Sequence, residues 1–220
     1  MGIIIKGLRY VRIKVSNAVR FRRAQLRWLL HNKHNKTRMG NYFPEERVKV
    51  GRFTYGELIV HHFDAKGEGL VIGDFCSIGP DVEFFLGGEH HPQYISNYPF
   101  GLYFQSCEEF EELDRTTKGL IIIDDDVWIG AHVLIMSGIH IGRGAIIGAG
   151  SIVAKDIPPY AIFAGGRIVK YRFDEETIKE LMKIDYEKID QRYFKKNAAC
   201  FYDEKVDEII VGDVFPKRKV

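Results

Sequence analysis

Branched aliphatic residues recur at every sixth position over a long stretch of this chain. The strictest series comprises Ile123, Ile129, Ile135, Ile141, Ile147 and Val153. A second series lies four residues after each member of the first and comprises Val127, Val133, Ile139, Ala145, Ser151 and Ile157. A helix would scatter these residues around its circumference, and a two-residue strand period needs no glycine after the aliphatic residue, as at Gly130, Gly142 and Gly148. The pattern therefore predicts a solenoid of short strands and tight turns, with the aliphatic residues stacked inward.

The same register continues more weakly toward the N-terminus. Ile72, Ile78 and Phe84 are one hexad apart, and glycine follows the first two. The repeat region thus spans residues 48–164, but residues 85–120 carry no hexad and include an acidic run. We expect this stretch to loop out of the solenoid, and long excursions from rigid repeat folds are where function concentrates.

Three segments together resemble the hexapeptide-repeat acyltransferases: VWIG at 127–130, IIGAGSIVAKDIPPYAI at 146–162 and GGEHHPQYISNYPF at 87–100. The resemblance covers residues 48–185 and is closest to the xenobiotic acetyltransferase branch. That branch contains type B chloramphenicol and streptogramin acetyltransferases together with capsule and lipopolysaccharide acetyltransferases. The resemblance implies an all-β solenoid, a left-handed parallel β-helix, assembled as a homotrimer. It also implies acetyl-coenzyme A as cosubstrate in the groove between neighbouring subunits, and no metal.

The domain organisation follows from this repeat region. We expect a basic helical arm at 1–44, the β-helix domain at 45–172 with its excursion at 85–120, and a C-terminal helix and tail at 173–220. At 220 residues and 45% hydrophobic composition, the chain can bury one solenoid core with small flanking elements. No apolar run approaches the length of a membrane span, and the charged start of the chain does not resemble a signal peptide. Three cysteines without metal or disulfide spacing predict reduced thiols and a cytoplasmic location.

The N-terminal arm is strongly polarised, because residues 1–44 contain eleven Lys or Arg and no Asp or Glu. Apolar residues at helical spacing run through it, namely Ile4, Leu8, Val11, Val15 and Val19. Residues 1–30 could therefore contact an anionic membrane surface from the cytoplasmic side. The alternative is that the apolar stripe packs on the solenoid end or on another subunit. Nucleic-acid binding is not expected, since the arginines lack interleaved base-stacking aromatics.

His90 is the candidate general base. Acetyl transfer from a thioester needs the attacking acceptor to lose its proton, and imidazole can accept that proton at neutral pH. In the resembling enzymes the catalytic histidine follows Gly-Gly-Asn, and here Gly87-Gly88-Glu89 precedes His90, so Glu89 departs from the family pattern. The neighbouring His91 is assigned to acceptor contact instead. Tyr94 and Tyr98 stand where the family's loop tail has Trp and Tyr, and they are also assigned to the acceptor.

Coenzyme contacts are expected along the last coils. Ala131 and Ala149 are small residues whose backbone amides could pair with the pantetheine arm. Lys155 matches the lysine of the family's Thr-Lys-Asp turn and is the first candidate for the phosphates, followed by Arg167 and Arg172. Each of these three could equally be a solvated surface charge.

Three function classes follow. The first is acetylation of a saccharide hydroxyl in cell-surface polysaccharide biosynthesis. The second is O-acetylation of a chloramphenicol- or streptogramin-type antibiotic, or N-acetylation of a sugar nucleotide, on the same fold. The third is a metal-dependent hydratase of the γ carbonic anhydrase kind, which the histidine spacing disfavours, or a β-helix without catalytic activity.

Overall fold

The computed structural model describes the backbone of residues 2–104, 108–202 and 215–217, together with their side chains except those of 2–16 and Glu108. The helices are α1 (Gly2–His31), α2 (Phe100–Phe104), α3 (Glu108–Asp114), α4 (Glu175–Leu181) and α5 (Gln191–Asn197). The strands are β1 (Lys36–Met39), β2 (Val48–Val50), β3 (Tyr55–His61), β4 (Leu70–Ile72), β5 (Ser77–Ile78), β6 (Glu83–Phe85), β7 (Ile121–Ile123), β8 (Trp128–Ile129), β9 (Leu134–Ile135), β10 (His140–Ile141), β11 (Ile146–Ile147), β12 (Ile152–Val153), β13 (Ala161–Ala164) and β14 (Arg167–Tyr171). Single 3₁₀ turns cover Glu45–Arg47, Tyr186–Lys188 and Ala198–Phe201.

The strands pair into three parallel ladders, so the chain is a parallel β-solenoid. The first ladder contains β2, β4, β7 and β10. The second contains the start of β3, then β5, β8, β11 and β13, and the third contains the end of β3, then β6, β9 and β12. Trp128 pairs with Ile146 and Leu134 with Ile152, partners that are eighteen residues or three hexads apart. One coil therefore consists of three hexads, one for each ladder.

Both aliphatic series form the core, as their spacing predicts. Every member of the two series is buried, from Ile123 through Ile157. Because neighbouring coils stack at the strand spacing of about 4.8 Å, each inward residue packs on its equivalents in the coils before and after it. The weaker register toward the N-terminus also contributes to the core, since Ile72, Ile78 and Phe84 are all buried.

Each coil turns at three corners. The corner between the first and second ladders is called the cap corner, because the C-terminal segment covers it. The cap corner contains Arg52–Phe53, Asp74–Phe75, Asp125–Asp126, Arg143–Gly144 and Pro159–Tyr160. Phe53, Phe75, Asp126 and Tyr160 there have positive φ, an uncommon conformation outside glycine. Each turn is joined to the preceding coil by a backbone hydrogen bond of 2.8–3.0 Å, such as that from the Asp126 N–H to the Asp74 carbonyl.

The other two corners lie on either side of the third ladder. The glycine corner, between the second and third ladders, contains residues 79–81, 130–132 and 148–150. The loop corner, between the third and first ladders, contains residues 62–69, 86–89, 116–119, 136–139 and 154–156. The excursion leaves and re-enters the solenoid at the loop corner, close to the predicted bounds of 85–120, and it carries α2 and α3.

The two ends of the solenoid are closed differently. β1 pairs in parallel with β3 at the N-terminal end, so strand pairing begins at Lys36, before the expected start of the domain at 45. Alternating burial along β1, with Thr37 and Met39 inward, explains why these residues join the sheet despite their basic composition. At the C-terminal end, β14 pairs antiparallel with β13 through an irregular register at Ile162–Phe163.

The C-terminal segment covers the cap corner. Asp174 caps α4 by accepting the Thr177 N–H at 2.8 Å, so a helix begins at the start of the segment 173–220, where the C-terminal helix is expected. Tyr160, Leu181, Ile184 and Ile189 form a small apolar cluster of their own between this segment and the solenoid. A second helix in this segment, α5, was not predicted.

Candidate active site

The excursion is fixed to the solenoid at its base by a short set of hydrogen bonds. The Gly88 N–H donates to the Thr116 carbonyl at 3.0 Å, and the Thr116 hydroxyl donates to the Glu89 carbonyl. The buried Ser137 hydroxyl donates to Glu89 Oε1 while Ser137 Oγ accepts the Lys118 N–H at 3.2 Å. The residue that departs from the family pattern, Glu89, thus ties the start of the excursion to the next coil.

The buried carboxylate of Glu68, in the preceding coil, supports the foot of the excursion. The Glu68 side chain is fully buried, lies 2.8 Å from the Arg47 guanidinium and accepts the N–H groups of Phe63, Asp64 and Ala65. Phe63 in turn lies so close beneath Gly88 that a Cβ there would be 2.6 Å from its ring. Gly88 has φ +88°, so both its conformation and its surroundings require glycine. Sequence analysis missed Phe63 and Glu68, because their contact with the loop depends on how the coils stack.

His90 is exposed on the excursion, and its ring orientation is set by one hydrogen bond. Nδ1 lies 2.5 Å from the Asn97 carbonyl oxygen. A carbonyl oxygen can only accept, so Nδ1 carries the proton and Nε2 of the neutral ring keeps its lone pair. This is the tautomer that a general base needs, with the free nitrogen turned away from the backbone that orients the ring.

The residues assigned to the acceptor lie on the same loop. His91 packs against Tyr94 with ring centroids 4.6 Å apart, so its ring faces a different neighbour from that of His90. Tyr98 contacts the rings of Phe100, Tyr103 and Phe104, at centroid distances of 4.9, 5.5 and 6.3 Å. Tyr94 and Tyr98 are both about half exposed, so the loop presents an open aromatic surface next to His90.

The two alanines predicted to contact coenzyme come together at the glycine corner. The Gly150 N–H donates to the Ala131 carbonyl at 2.8 Å, and a Cβ on Gly130 would lie 2.6 Å from the Ala149 nitrogen. Ala131 and Ala149 therefore occupy equivalent turns of consecutive coils. Trp128, on the outer side of the second ladder just before this corner, is 56% exposed.

The basic residues predicted to contact coenzyme are separated. Lys155 is exposed at the loop corner, and continuing the Leu134–Ile152 register puts it one coil beyond Ser137. Arg167 is exposed at the start of β14. Arg172 lies instead at the cap corner, where its guanidinium donates to the Gly144 carbonyl at 2.7 Å and lies 3.6 Å from Asp126.

One histidine–carboxylate cluster is present among the described residues, formed by His62, Asp64 and Glu68. Glu68 is already bound by Arg47 and three backbone N–H groups, so its oxygens stabilise the loop beneath Gly88. The cluster is therefore part of the support of the excursion.

Comparison with known proteins identifies the family of the chain. Residues 121–155 match the family model "Bacterial transferase hexapeptide (six repeats)". The chain is 40% identical over 135 residues to a probable macrolide acetyltransferase of Lysinibacillus sphaericus, covering 58% of this chain and 74% of that protein. It is 38% identical over 157 residues to a chloramphenicol acetyltransferase of Klebsiella aerogenes, covering 63% and 74%.

Among solved structures, a hexapeptide-repeat acetyltransferase of Vibrio cholerae complexed with acetyl-coenzyme A aligns with a TM-score of 0.45 and 26% identity, covering 64% of this chain and 66% of that one. Identity and coverage of the two curated relatives, together with the hexad repeat, establish the family. The chain belongs to the hexapeptide-repeat acetyltransferases and is an acyltransferase that uses acetyl-coenzyme A.

Proposed function

We propose that this enzyme acetylates a hydroxyl group and that His90 is its general base. The observation that carries the proposal is the hydrogen bond between His90 Nδ1 and the Asn97 carbonyl, which leaves Nε2 free to accept a proton. His90 Nε2 takes the proton of the acceptor hydroxyl as its oxygen attacks the thioester carbonyl. The C–S bond then breaks, an ester remains on the acceptor, and the proton passes from His90 to the departing coenzyme A sulfur.

We further propose that the working enzyme is a homotrimer of left-handed β-helices, as the resemblance implies. The distribution of candidate residues supports an assembly, because Ala131 and Ala149 lie at the glycine corner while His90 and Lys155 lie at the loop corner. Packing one copy's glycine corner against the loop corner of the next would bring both sets to one groove. There, the pantetheine arm would run along the alanines, and Lys155 and Arg167 would meet the phosphates.

The acceptor that we propose is a saccharide of a cell-surface polysaccharide or its precursor. Tyr94 and Tyr98 support this choice, because exposed aromatic rings present flat surfaces to the apolar faces of sugars while His90 meets a hydroxyl. A cytoplasmic location is proposed with it. Neither described cysteine, Cys76 nor Cys200, forms a disulfide with another described residue, which suits a reducing compartment.

An antibiotic is the second candidate acceptor, and the names of the relatives favour it. Both curated proteins reported above are named for acetylation of a drug, a macrolide or chloramphenicol. The same aromatic surface would accept such a molecule, and the chemistry at His90 would be unchanged.

Release of free thiol from acetyl-coenzyme A separates these candidates. Purified enzyme is supplied in parallel with saccharides, sugar nucleotides, macrolides, streptogramins and chloramphenicol, and each product is analysed by mass spectrometry and base hydrolysis. An ester on a saccharide supports the first acceptor class, whereas turnover with drugs alone selects the second. An amide product would refute hydroxyl transfer. The His90→Ala variant is the control for non-enzymatic release.

A further inference from the structure

The helix α1 packs on the solenoid through one face of its C-terminal half. Ala24 and Trp28 on this face are each 1% exposed, and Trp28 Nε1 donates to the Thr37 hydroxyl at 3.1 Å. Gln25 donates to the Met39 carbonyl at 3.0 Å, so both bonds reach β1. Of the predicted apolar stripe, Ile4, Leu8, Val11 and Val15 lie outside the residues whose side chains are described, and Val19 is exposed, so the face that packs on the solenoid is a different one.

The opposite face of the same half is apolar too, and it is exposed. Val19, Leu26, Leu29 and Leu30 are 46%, 60%, 51% and 54% exposed. Leu26 follows Val19 by seven residues, and Leu30 follows Leu26 by four, so these positions share one side of the helix. Since Trp28 already anchors the helix on the other side, these leucines are not needed for docking on the solenoid.

The charges around this outer face are basic. Arg22 and Arg23 lie three and four residues after Val19, among the exposed leucines. Arg20 donates to the Tyr42 hydroxyl at 2.9 Å, and Arg27 lies 3.2 Å from Glu45, so these two arginines are bound along the flanks. In the part of the chain that the structure describes, Arg22 and Arg23 have no such ion pair, and α1 contains no acidic residue.

We propose that this outer face of α1, formed by Val19, Arg22, Arg23, Leu26, Leu29 and Leu30, binds an anionic lipid surface. The leucines would enter the boundary between headgroups and acyl chains while the arginines meet anionic headgroups. Charge selects this partner over a two-fold pairing of this face with the same face of a second copy, because such a pairing would bring Arg22 and Arg23 of both copies together. The inference goes beyond acetyl transfer and holds for either acceptor class.

Flotation of the full-length protein with vesicles tests the proposal. Vesicles of phosphatidylcholine alone are compared with vesicles in which one third of the lipid is phosphatidylglycerol. We expect binding to the anionic vesicles, weakened by raising the salt concentration, and little binding to the neutral ones. Each Lys or Arg near such a surface contributes about 1 kcal/mol, so Arg22→Glu with Arg23→Glu should lower the partition coefficient at least about tenfold.

Two further variants make the test specific. Lys195→Glu with Lys196→Glu changes net charge equally at exposed residues of α5, and it should leave vesicle binding almost unchanged. Leu26→Asn with Leu30→Asn keeps the charge and should also reduce binding at least about tenfold, while thiol-release activity stays at the unmodified level in all three variants. Equal binding by all variants, an equal loss in the Lys195/Lys196 control, or an absence of binding to anionic vesicles would overturn the proposal. Self-association that depends on Leu26 and Leu30 would instead assign this face to a second copy.

Discussion

The cap corner and the loop corner are built from similar tight turns, but their polar residues have different tasks. At the cap corner Arg52, Asp74, Asp125 and Arg143 satisfy one another, with N–O distances of 2.5 Å for Arg52–Asp74 and 2.9 Å for Arg143–Asp125. At the loop corner the polar groups bind the base of the excursion, and Lys155 remains exposed. A charged residue in a hexapeptide turn is therefore structural where its neighbours satisfy it, and available for a ligand where they do not.

The largest effect should come from the loop corner. His90→Ala should lower kcat by about 10²–10⁴-fold because it removes the proposed general base, while the melting temperature and acetyl-coenzyme A binding stay unchanged. Thiol release, thermal unfolding and calorimetric binding measure these quantities. His91→Ala is the matched control and should retain most turnover; if it instead loses as much kcat as His90→Ala, the base has been assigned to the wrong histidine.

Arg143→Ala should have the largest effect at the cap corner. Its side chain is 4% exposed, pairs with Asp125 and donates to the Met182 and Ile184 carbonyls at 3.1 and 2.9 Å. Removing it leaves Asp125 and two carbonyls with fewer donors, so the free energy of unfolding should fall by about 3–5 kcal/mol. Denaturant titration measures this loss, and the activity of the protein that remains folded should be normal. A large loss of kcat without loss of stability would show that the two corners are not separable.

Ser137→Ala should have a smaller effect, confined to catalysis. The variant removes the hydroxyl donor to Glu89 and the acceptor of the Lys118 N–H, which loosens the base of the His90 loop. If the looser loop raises the activation free energy by about 1–2 kcal/mol, kcat falls roughly fivefold to thirtyfold. The KM for acetyl-coenzyme A should stay unchanged. Steady-state kinetics with both substrates distinguishes this from a fall in stability at constant kcat, which would assign Ser137 to the fold alone.

Lys155→Ala and Arg172→Ala compare basic residues at the two corners directly. Lys155→Ala should raise the KM for acetyl-coenzyme A about fivefold, as expected for loss of one exposed contact to phosphate. Arg172→Ala should leave that KM unchanged and lower the melting temperature, because its guanidinium is bound by Gly144 and Asp126. A raised KM in Arg172→Ala together with an unchanged KM in Lys155→Ala would instead support the coenzyme role that the sequence suggests for Arg172.

The smallest effect concerns a thiol inside the coil. Burial raises the pKa of Cys76 to about 12, so the thiol stays protonated at pH 8 and should not react with iodoacetamide in the folded enzyme. Mass spectrometry of labelled peptides before and after unfolding checks this outcome. Rapid labelling of Cys76 under native conditions would show that the coil opens there.

Features that depend on local spacing were predictable from the sequence. The hexad rows, the excursion and the presence of a C-terminal helix each follow from residues close together in the chain. The position of His90 came from a motif resemblance, and its tautomer came only from the structure, because Asn97 is seven residues away across a loop. Glu68 and Phe63 escaped prediction for a related reason, since their support of Gly88 depends on contact between coils. The partners of Arg172 are Gly144 and Asp126, which lie on earlier coils. Sequence spacing likewise does not show that Arg172 reaches them.

The antiparallel strand β14 also affects whether the solenoid can associate end to end with a second molecule. A parallel stack of identical coils presents an open edge on which a second molecule could continue the ladder, and repeated addition would produce a fibre. Here β14 reverses direction against β13, and the exposed Arg167, Lys170 and Tyr171 stand along it, while α1 lies against β1 at the other end. At the end of the second ladder and at the outer edge of β1, these elements therefore oppose continuation of the ladder by a second molecule.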